Sequence, residues 1–448
     1  MPRRWRGLVT MPFDLHGRGT TAAREIRGGV ATFLTMAYIL FANPSILASA
    51  GIPFEAAASA TAAAAAVCTL LMGLGANFPI ALAPGMGLNA VVAFQVVGQT
   101  GSWQAAMGLV VLNGLVVLAL VLMGVREAVM RAIPLDLRRA ISVGIGLFIA
   151  LIGAVNARLV VIPPASLAAL RMDPLATVPP VTYGSLHGPA PLLALAGLLI
   201  IALLLSKRVP GAIVIGIVSV TAAALLLGVA QWPAGRWLRM PRFDTVFQAD
   251  LQSAFDIQFV PLLLSIVMVD FFDTLGTVTA IAETGDLHDR EGRIPRLRAI
   301  LAIDSLSAMI GGVFGVSSVT SYVESAAGVA EGARTGLHNV VVAVLFAACI
   351  FAAPLIGIVP AAATAPALIM VGFLMCQQIT RIDFSALETA IPAFLILLMT
   401  PLTFSISHGI GYGFIAYVAI KLLSGRLGDV RPMMYATAAL FVVYFCLG

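Results

Sequence analysis

Apolar runs long enough to cross a bilayer recur along this chain from one end to the other, and that recurrence leaves few folds open. A membrane-spanning helix needs about 20 consecutive, mostly apolar residues. Runs bounded by charges and helix breakers lie near 28–48, 58–76, 80–97, 105–124, 138–156, 190–206, 211–230, 258–281, 296–315, 318–332, 337–357, 363–378, 389–421 and 432–447. Backbone in lipid must satisfy its own hydrogen bonds, so such runs become helices. A transmembrane β-barrel would instead show short alternating segments. The 448 residues are only 10% charged, against about 25% in soluble domains. The expected fold class is therefore an all-α polytopic membrane protein of about 14 transmembrane spans.

The net charge of +5 has a topological explanation that requires no nucleic acid. Basic residues gather between runs: Arg126, Arg131, Arg138 and Arg139; then Lys207 and Arg208; then Arg290, Arg293, Arg296 and Arg298. Cytoplasmic loops carry such excess, which predicts a cytoplasmic N-terminal segment at 1–27, too polar and too long for a signal peptide. The longer stretches 157–189 and 231–257, the latter with Arg236, Arg239 and Arg242, count as exterior loops that obey the rule weakly. One conflict stands. The segment "KLLSGRLGDVRP" (421–432) looks cytoplasmic by charge, yet treating 389–421 as one span puts it outside. That run is too long for a simple span and contains Pro392 and Pro401.

Catalytic motifs are missing. Cys68, Cys349, Cys376 and Cys446 lie far apart in apolar segments and read as small core residues. His16, His187, His288 and His338 fall in loops or at span ends without ligand spacing, and His408 reads as a hydrogen-bonded polar residue. There is no HExxH, nucleophile elbow or phosphate loop. Transporter chemistry without cofactor, metal or catalytic residue is expected, not an enzyme.

Two runs are odd for spanning helices. "NFPIALAPGMGLNAVVAF" (77–94) has Pro79, Pro84, Gly85 and Gly87 in its first half. "GGVFGVSSVTSYVESAAG" (311–328) has glycines, then a hydroxyl-rich β-favouring stretch, then Glu324. Each predicts extended backbone feeding a short helix, tolerated at membrane depth only beside protein or a polar cavity. Interrupted segments at matching places in two halves point to a transporter's binding site. Setting Asn89 against Glu324 gives an offset of 235 residues, which pairs Asp273 with Tyr38 and suggests inverted 7-span repeats.

Acids carry the chemistry. In "VMVDFFDTLGTV" (267–278), Ile266, Asp270, Asp273 and Thr277 share a helix face, with Thr274 beside them and Gly276 admitting a neighbouring backbone. Thr320, Glu324 and Gly328 share another face, with Ser321 adjacent, and Asp304 stands in "LAIDSLSAM". An ionised Asp at the bilayer centre costs about 2.5–3.5 kcal/mol on the insertion scale, so these residues need a purpose. A carboxyl that takes up a proton and releases it as its cavity hydrates suits a proton-coupled carrier. Asp270 and Asp304 also suit hydrogen-bonded structural roles. The Asn89 amide both donates and accepts, as the edge of a heterocyclic base requires. Tyr38 or Phe272 can stack on a planar ring, or simply pack.

"EIRGGVATFLTMAYILFANPSIL" (25–47), "ALAPGMGLNAVVAF" (81–94), "DFFDTLGTV" (270–278) and "SSVTSYVESAAGVAEGARTGL" (317–337) resemble the AzgA-like purine permeases, nucleobase–cation symporters related to uracil and xanthine permeases. The resemblance covers essentially the whole chain. It implies 14 spans in two inverted repeats, short strands in the third and tenth, and a core domain working against a gate domain. Its boundaries would be 28–135 (core, first half), 136–249 (gate, first half), 250–358 (core, second half) and 359–448 (gate, second half). It implies import of hypoxanthine, guanine or adenine with protons across the cytoplasmic membrane, and admits a homodimer. The substrate acids fall on Asp273 and Glu324, the third-span amide on Asn89, and a close-approach glycine on Gly87. Tyr38, Thr277 and Thr320 join them as substrate-side candidates, while Asp273, Glu324, Asp270 and Asp304 are the candidates for proton coupling or gating. Alternatives are sodium coupling, another nucleobase such as xanthine or uracil, a sulfate-permease-like anion carrier, and a channel. An anion site would favour basic groups where acids and an amide stand here.

Overall fold

The apolar runs close their backbone hydrogen bonds as helices, and breakers set where each one stops. A computed structural model describes residues 13–125, 132–163, Ser166, Ala169, 181–209, 211–232, 240–288 and 293–447, without side chains at 257, 261, 265, 272, 275, 276, 279, 283, 427 and 447. The loop residues Arg126, Arg131, Arg236, Arg239 and Arg290, and the side-chain roles expected of Phe272 and Gly276, lie outside that description.

The first run is two helices, α1 (Ala22–Met36) and α2 (Ile39–Ala48), followed by α3 (Phe54–Gly75). Thr21 caps α1 by accepting from the Arg24 amide, and Pro44 inside α2 removes a donor. Next come strand β1 (Leu82–Pro84), α4 (Met86–Ala90), a π-helical turn at Val91–Val96 and α5 (Val97–Thr100). Helices α6 (Trp103–Leu122) and α7 (Leu135–Asn156) precede a small hairpin of β2 (Val160–Val161) and β3 (Thr182–Tyr183). Then follow α8 (Pro189–Ser206), α9 (Ala212–Leu226), α10 (Leu251–Ala254), α11 (Val260–Gly285) and α12 (Leu297–Phe314). Strand β4 (Val319–Ser321) leads into α13 (Ser325–Ala330), α14 (Leu337–Cys349) and α15 (Ala353–Ile356). The chain finishes with α16 (Ala361–Cys376), α17 (Leu387–Leu402), α18 (Ile406–Leu423) and α19 (Pro432–Leu447). Among the described residues, 9 helices are long and apolar enough to cross a membrane.

Packing sorts the helices into two groups. Helices α1–α6 pack with α10–α15, and α7–α9 pack with α16–α19. The groups meet chiefly where α4 and α11 touch α7 and α18. Within the first group, α1 and α13 cross at bare backbone: a Cβ on Gly28 would lie 2.7 Å from the Gly328 carbonyl oxygen and 2.8 Å from the Ala333 Cβ. Gly28→Ala is expected to destabilise the protein by about 1–3 kcal/mol, the usual range for overpacking. Thermal denaturation in detergent checks this, and an unchanged midpoint would refute it.

The run 389–421 is divided at Thr403–Ser405, where Phe404 has φ 53° and Ser405 caps α18 through the His408 amide. Two helices therefore stand where one overlong span was expected. Their far ends are tied together, because Glu388 at the start of α17 pairs with Lys421 and Arg426 at the end of α18. This removes the conflict over "KLLSGRLGDVRP", since an extra turn returns that segment to the end from which α17 began. Other basic side chains donate to backbone carbonyls near helix ends. Arg139 donates to the Arg381 carbonyl at 2.5 Å, and Arg298 donates to the Leu122 carbonyl at 2.5 Å. Arg18 reaches the carbonyls of Asn77 and Arg334 at 3.2 and 3.3 Å.

The cysteine reading needs correction. Cys68 is buried, but Cys349 and Cys376 are half-buried and Cys446 is exposed, since a helix facing lipid can present an apolar thiol outward as well as inward.

Candidate functional site

The two odd segments meet. Strand β1 pairs antiparallel with β4, Leu82 opposite Ser321, Ala83 opposite Thr320 and Pro84 opposite Val319. A two-stranded pair inside a membrane protein leaves polar backbone that needs partners. Side chains supply them. The Thr69 hydroxyl meets both the amide and the carbonyl of Leu82 at 2.9 Å. Asn339 Nδ2 donates to the carbonyls of Phe78 and Ile80 at 3.0 and 2.8 Å, and Ser325 Oγ accepts from the Ala81 amide at 3.0 Å. Tyr322 donates its hydroxyl to the Pro84 carbonyl at 2.5 Å. A Cβ at Gly85 would sit 2.6 Å from the Thr320 methyl, so glycine lets the strands cross into α4.

Short helices α4 and α13 start directly from the strands, with Gly85 and Glu324 at their N-caps. Strand β4 begins at 319 and β1 at 82, two residues further apart than the offset of 235.

Tyr38 reaches the site because the first span breaks there. It is the N-cap of α2, is 1% exposed, and donates its hydroxyl to Glu324 Oε1 at 2.7 Å. Glu324 is half-buried, and so is Asp273 on α11. Both carboxyl groups lie near the hydroxyls of Tyr38 and Tyr322. Asn89 is fully buried. Its Nδ2 makes a long contact of 3.4 Å to the Pro84 carbonyl, while Oδ1 has no hydrogen-bond partner among the described residues. Gly87 faces the other helix group, since a Cβ there would lie 3.1 Å from Ile145 Cγ2 and 3.3 Å from Ile406 Cδ1.

The remaining acids stand behind this group. Asp304 is fully buried and accepts from Thr274 Oγ1 at 2.6 Å, from the amide and hydroxyl of Ser321 at 3.1 and 2.9 Å, and from Thr320 Oγ1 at 3.5 Å. Thr320 Oγ1 thus meets Asp304 and also Thr274 Oγ1, the latter at 3.0 Å. Asp270 is also fully buried, accepting from Asn113 Nδ2 at 2.9 Å and from Ser318 Oγ at 3.4 Å. Thr277 is buried one turn beyond Asp273. Sequence reading missed Asn113, Thr69, Tyr322 and Asn339; a lone amide or hydroxyl in an apolar run was the available signal. His338 stands at the start of α14, as a span-end residue, and is fully buried, linking Thr32 Oγ1 at 2.7 Å to Asn339 Oδ1 at 2.8 Å.

The Xan_ur_permease model, described as Permease family, matches residues 23–412. The chain belongs to this permease family. The permease is 39% identical to the Escherichia coli adenine permease AdeP over 98% of its own length and 96% of that protein. It is 40% identical to the Bacillus subtilis guanine/hypoxanthine permease PbuG over 97% and 98% of the two chains. These relatives bear out the purine-permease resemblance and make the protein a transporter, not an enzyme, of the multi-pass cell-membrane kind. Among solved structures, the transmembrane domain of the cyanobacterial bicarbonate transporter BicA superposes with a TM-score of 0.61 at 19% identity, covering 88% of the permease and 97% of BicA. The structure of SLC26A9 gives 0.62 at 13% identity, covering 90% and 65%. At such identities the likeness concerns the fold.

Proposed function

We propose that this permease is a secondary active transporter importing purine nucleobases (hypoxanthine, guanine or adenine) together with protons. The observation that carries the reading is the division of four intramembrane acids into two pairs. Asp273 and Glu324 are partly exposed beside Tyr38, near the orphaned Asn89 carbonyl, whereas Asp270 and Asp304 are fully buried among hydroxyls and an amide. A purine edge offers ring N–H and exocyclic donors to carboxylates, and acceptors to an amide N–H. Asp273 and Glu324 would take the donors, Asn89 would read the complementary edge, and Tyr38 would hold Glu324 in place. Gain or loss of a proton among these four acids would change the strength of purine binding, which couples the two.

The α1–α6/α10–α15 group would act as the core and the α7–α9/α16–α19 group as the gate, related by inverted repeats, with the site at their contact. The basic end of the bundle would face the cytoplasm, with the N-terminus on that side. A homodimer is compatible with this arrangement. The test is uptake of radiolabelled hypoxanthine at two pH values, challenged with adenine, guanine, xanthine and uracil. Purines should compete and uracil should not, and a protonophore should abolish accumulation. Uptake indifferent to the protonophore would refute proton coupling, and competition by uracil alone would refute the substrate class.

A further inference from the structure

Asn113 is the one polar residue of α6 beyond its first turn, in "VVLNGLVV", and it is fully buried. Its neighbour Gly114 allows close packing on α12, a Cβ there falling 2.5 Å from Met309 Cγ, so the amide is shut off from lipid. Nδ2 donates to Asp270 Oδ2 at 2.9 Å, while Oδ1 has no hydrogen-bond partner among the described residues. A buried carbonyl without a donor is unfavourable, and half of this side chain is left in that state in the present arrangement.

A carboxamide can meet a carboxyl in either protonation state. Its NH2 edge donates to the ionised form, and its oxygen accepts from the O–H of the protonated form. Rotating the amide by half a turn exchanges the two, and the unpartnered Oδ1 is the edge that would be used. We propose that Asn113 is a positioning residue for the coupling proton: by turning its amide over, it lets the buried Asp270 both hold and release that proton. It acts through Asp270 and does not touch the purine. The inference rests on the proton-coupled reading above.

The titratable groups facing Asp270 from neighbouring elements are few. Asp304 of α12 connects through Thr274, whose hydroxyl donates to Asp304 and lies 3.4 Å from the Asp270 carbonyl. Asp273 stands one turn along α11, with Glu324 and Tyr322 on the α13 side, while α4, α6 and β4 carry none. On α18, His408 and Tyr412 face α19, and Lys421 faces Glu388 with Tyr417 beside it. On α7, Asp136 and Arg139 pair with each other at the helix start, next to Arg138.

Asn113→Val and Asn113→Thr differ by a hydroxyl at nearly constant shape, and a hydroxyl can also donate or accept. Purified full-length variants in proteoliposomes would be given two assays with hypoxanthine. Exchange of labelled for unlabelled hypoxanthine at equal pH needs no proton release, whereas accumulation driven by a pH gradient does. Asn113→Val should keep exchange near the wild-type level and lose accumulation by at least about tenfold, the equivalent of one pKa unit. Asn113→Thr should keep both. Wild-type accumulation by Asn113→Val, parallel loss of both activities, or failure of Asn113→Thr alongside Val would each overturn the proposal. Wild-type protein that ignores the pH gradient would overturn the coupling reading with it. Coupled wild type beside an unaffected Asn113→Val would overturn this inference alone.

Discussion

Glu324→Gln should reduce purine uptake by at least about 100-fold while the protein still reaches the membrane. Hydrogen bonds to a charged group contribute about 1.5–3 kcal/mol each, and each 1.4 kcal/mol is a factor of ten. A carboxylate that accepts from Tyr38 and from substrate loses both charge and one acceptor when it becomes an amide. The amide's NH2 would then face a purine donor, adding repulsion to the loss. Asp273→Asn should behave alike, since Asp273 is the other partly exposed acid of the site. Tyr38→Phe should be milder, about tenfold, because it removes one hydrogen bond and leaves the carboxylate. Uptake of labelled hypoxanthine, normalised to protein in isolated membranes, measures all three. Wild-type uptake by both acid variants would remove the proposed site.

Asp304→Leu should cost folded protein instead of substrate affinity. The carboxylate gathers donors from α11 and β4 onto α12: Thr274 at 2.6 Å and Ser321 through both its amide and its hydroxyl at 3.1 and 2.9 Å. Each donor left buried without an acceptor costs about 1–3 kcal/mol, so three of them cost about 3–9 kcal/mol. That approaches the whole stability of an ordinary domain, about 5–15 kcal/mol. Asp304→Asn keeps one acceptor and should accumulate at an intermediate level. Size-exclusion profiles of detergent extracts, taken with and without heating, distinguish the three proteins. A Leu variant as monodisperse as wild type after heating would show that the cluster has no structural weight.

Much of the site could be read from residue order. Proline and glycine before Asn89, and the hydroxyl-rich stretch before Glu324, announced extended backbone, and β1 and β4 are extended where those residues stand. The break of the first span at Tyr38 had a weaker signal, because Pro44 lies six residues beyond it and nothing in "TMAYIL" forbids helix. The break between helices at Thr403–Ser405 was hidden for a related reason. Pro401 ends α17 close to its own position, but neighbouring apolar residues continue the hydropathy across the gap. Roles of the acids were legible only in part. Asp270 and Asp273 have similar sequence surroundings, yet one is fully buried against Asn113 and the other is partly exposed.

The sequence by itself determined that this chain lies in a membrane, is built of helices, and interrupts two of them, one beside the Asn89 amide and one beside Glu324. Lipid makes those conclusions local, since a backbone without water has almost no alternative to helix, and an exception must be marked by its residues. Tertiary structure alone decided that β1 meets β4, that Thr69 and Asn339 complete the strand hydrogen bonds, and which carboxylates are fully buried and which are partly exposed. Those facts depend on pairings between residues far apart in the chain, and a carboxylate's surroundings are set by those partners and not by its neighbours in sequence.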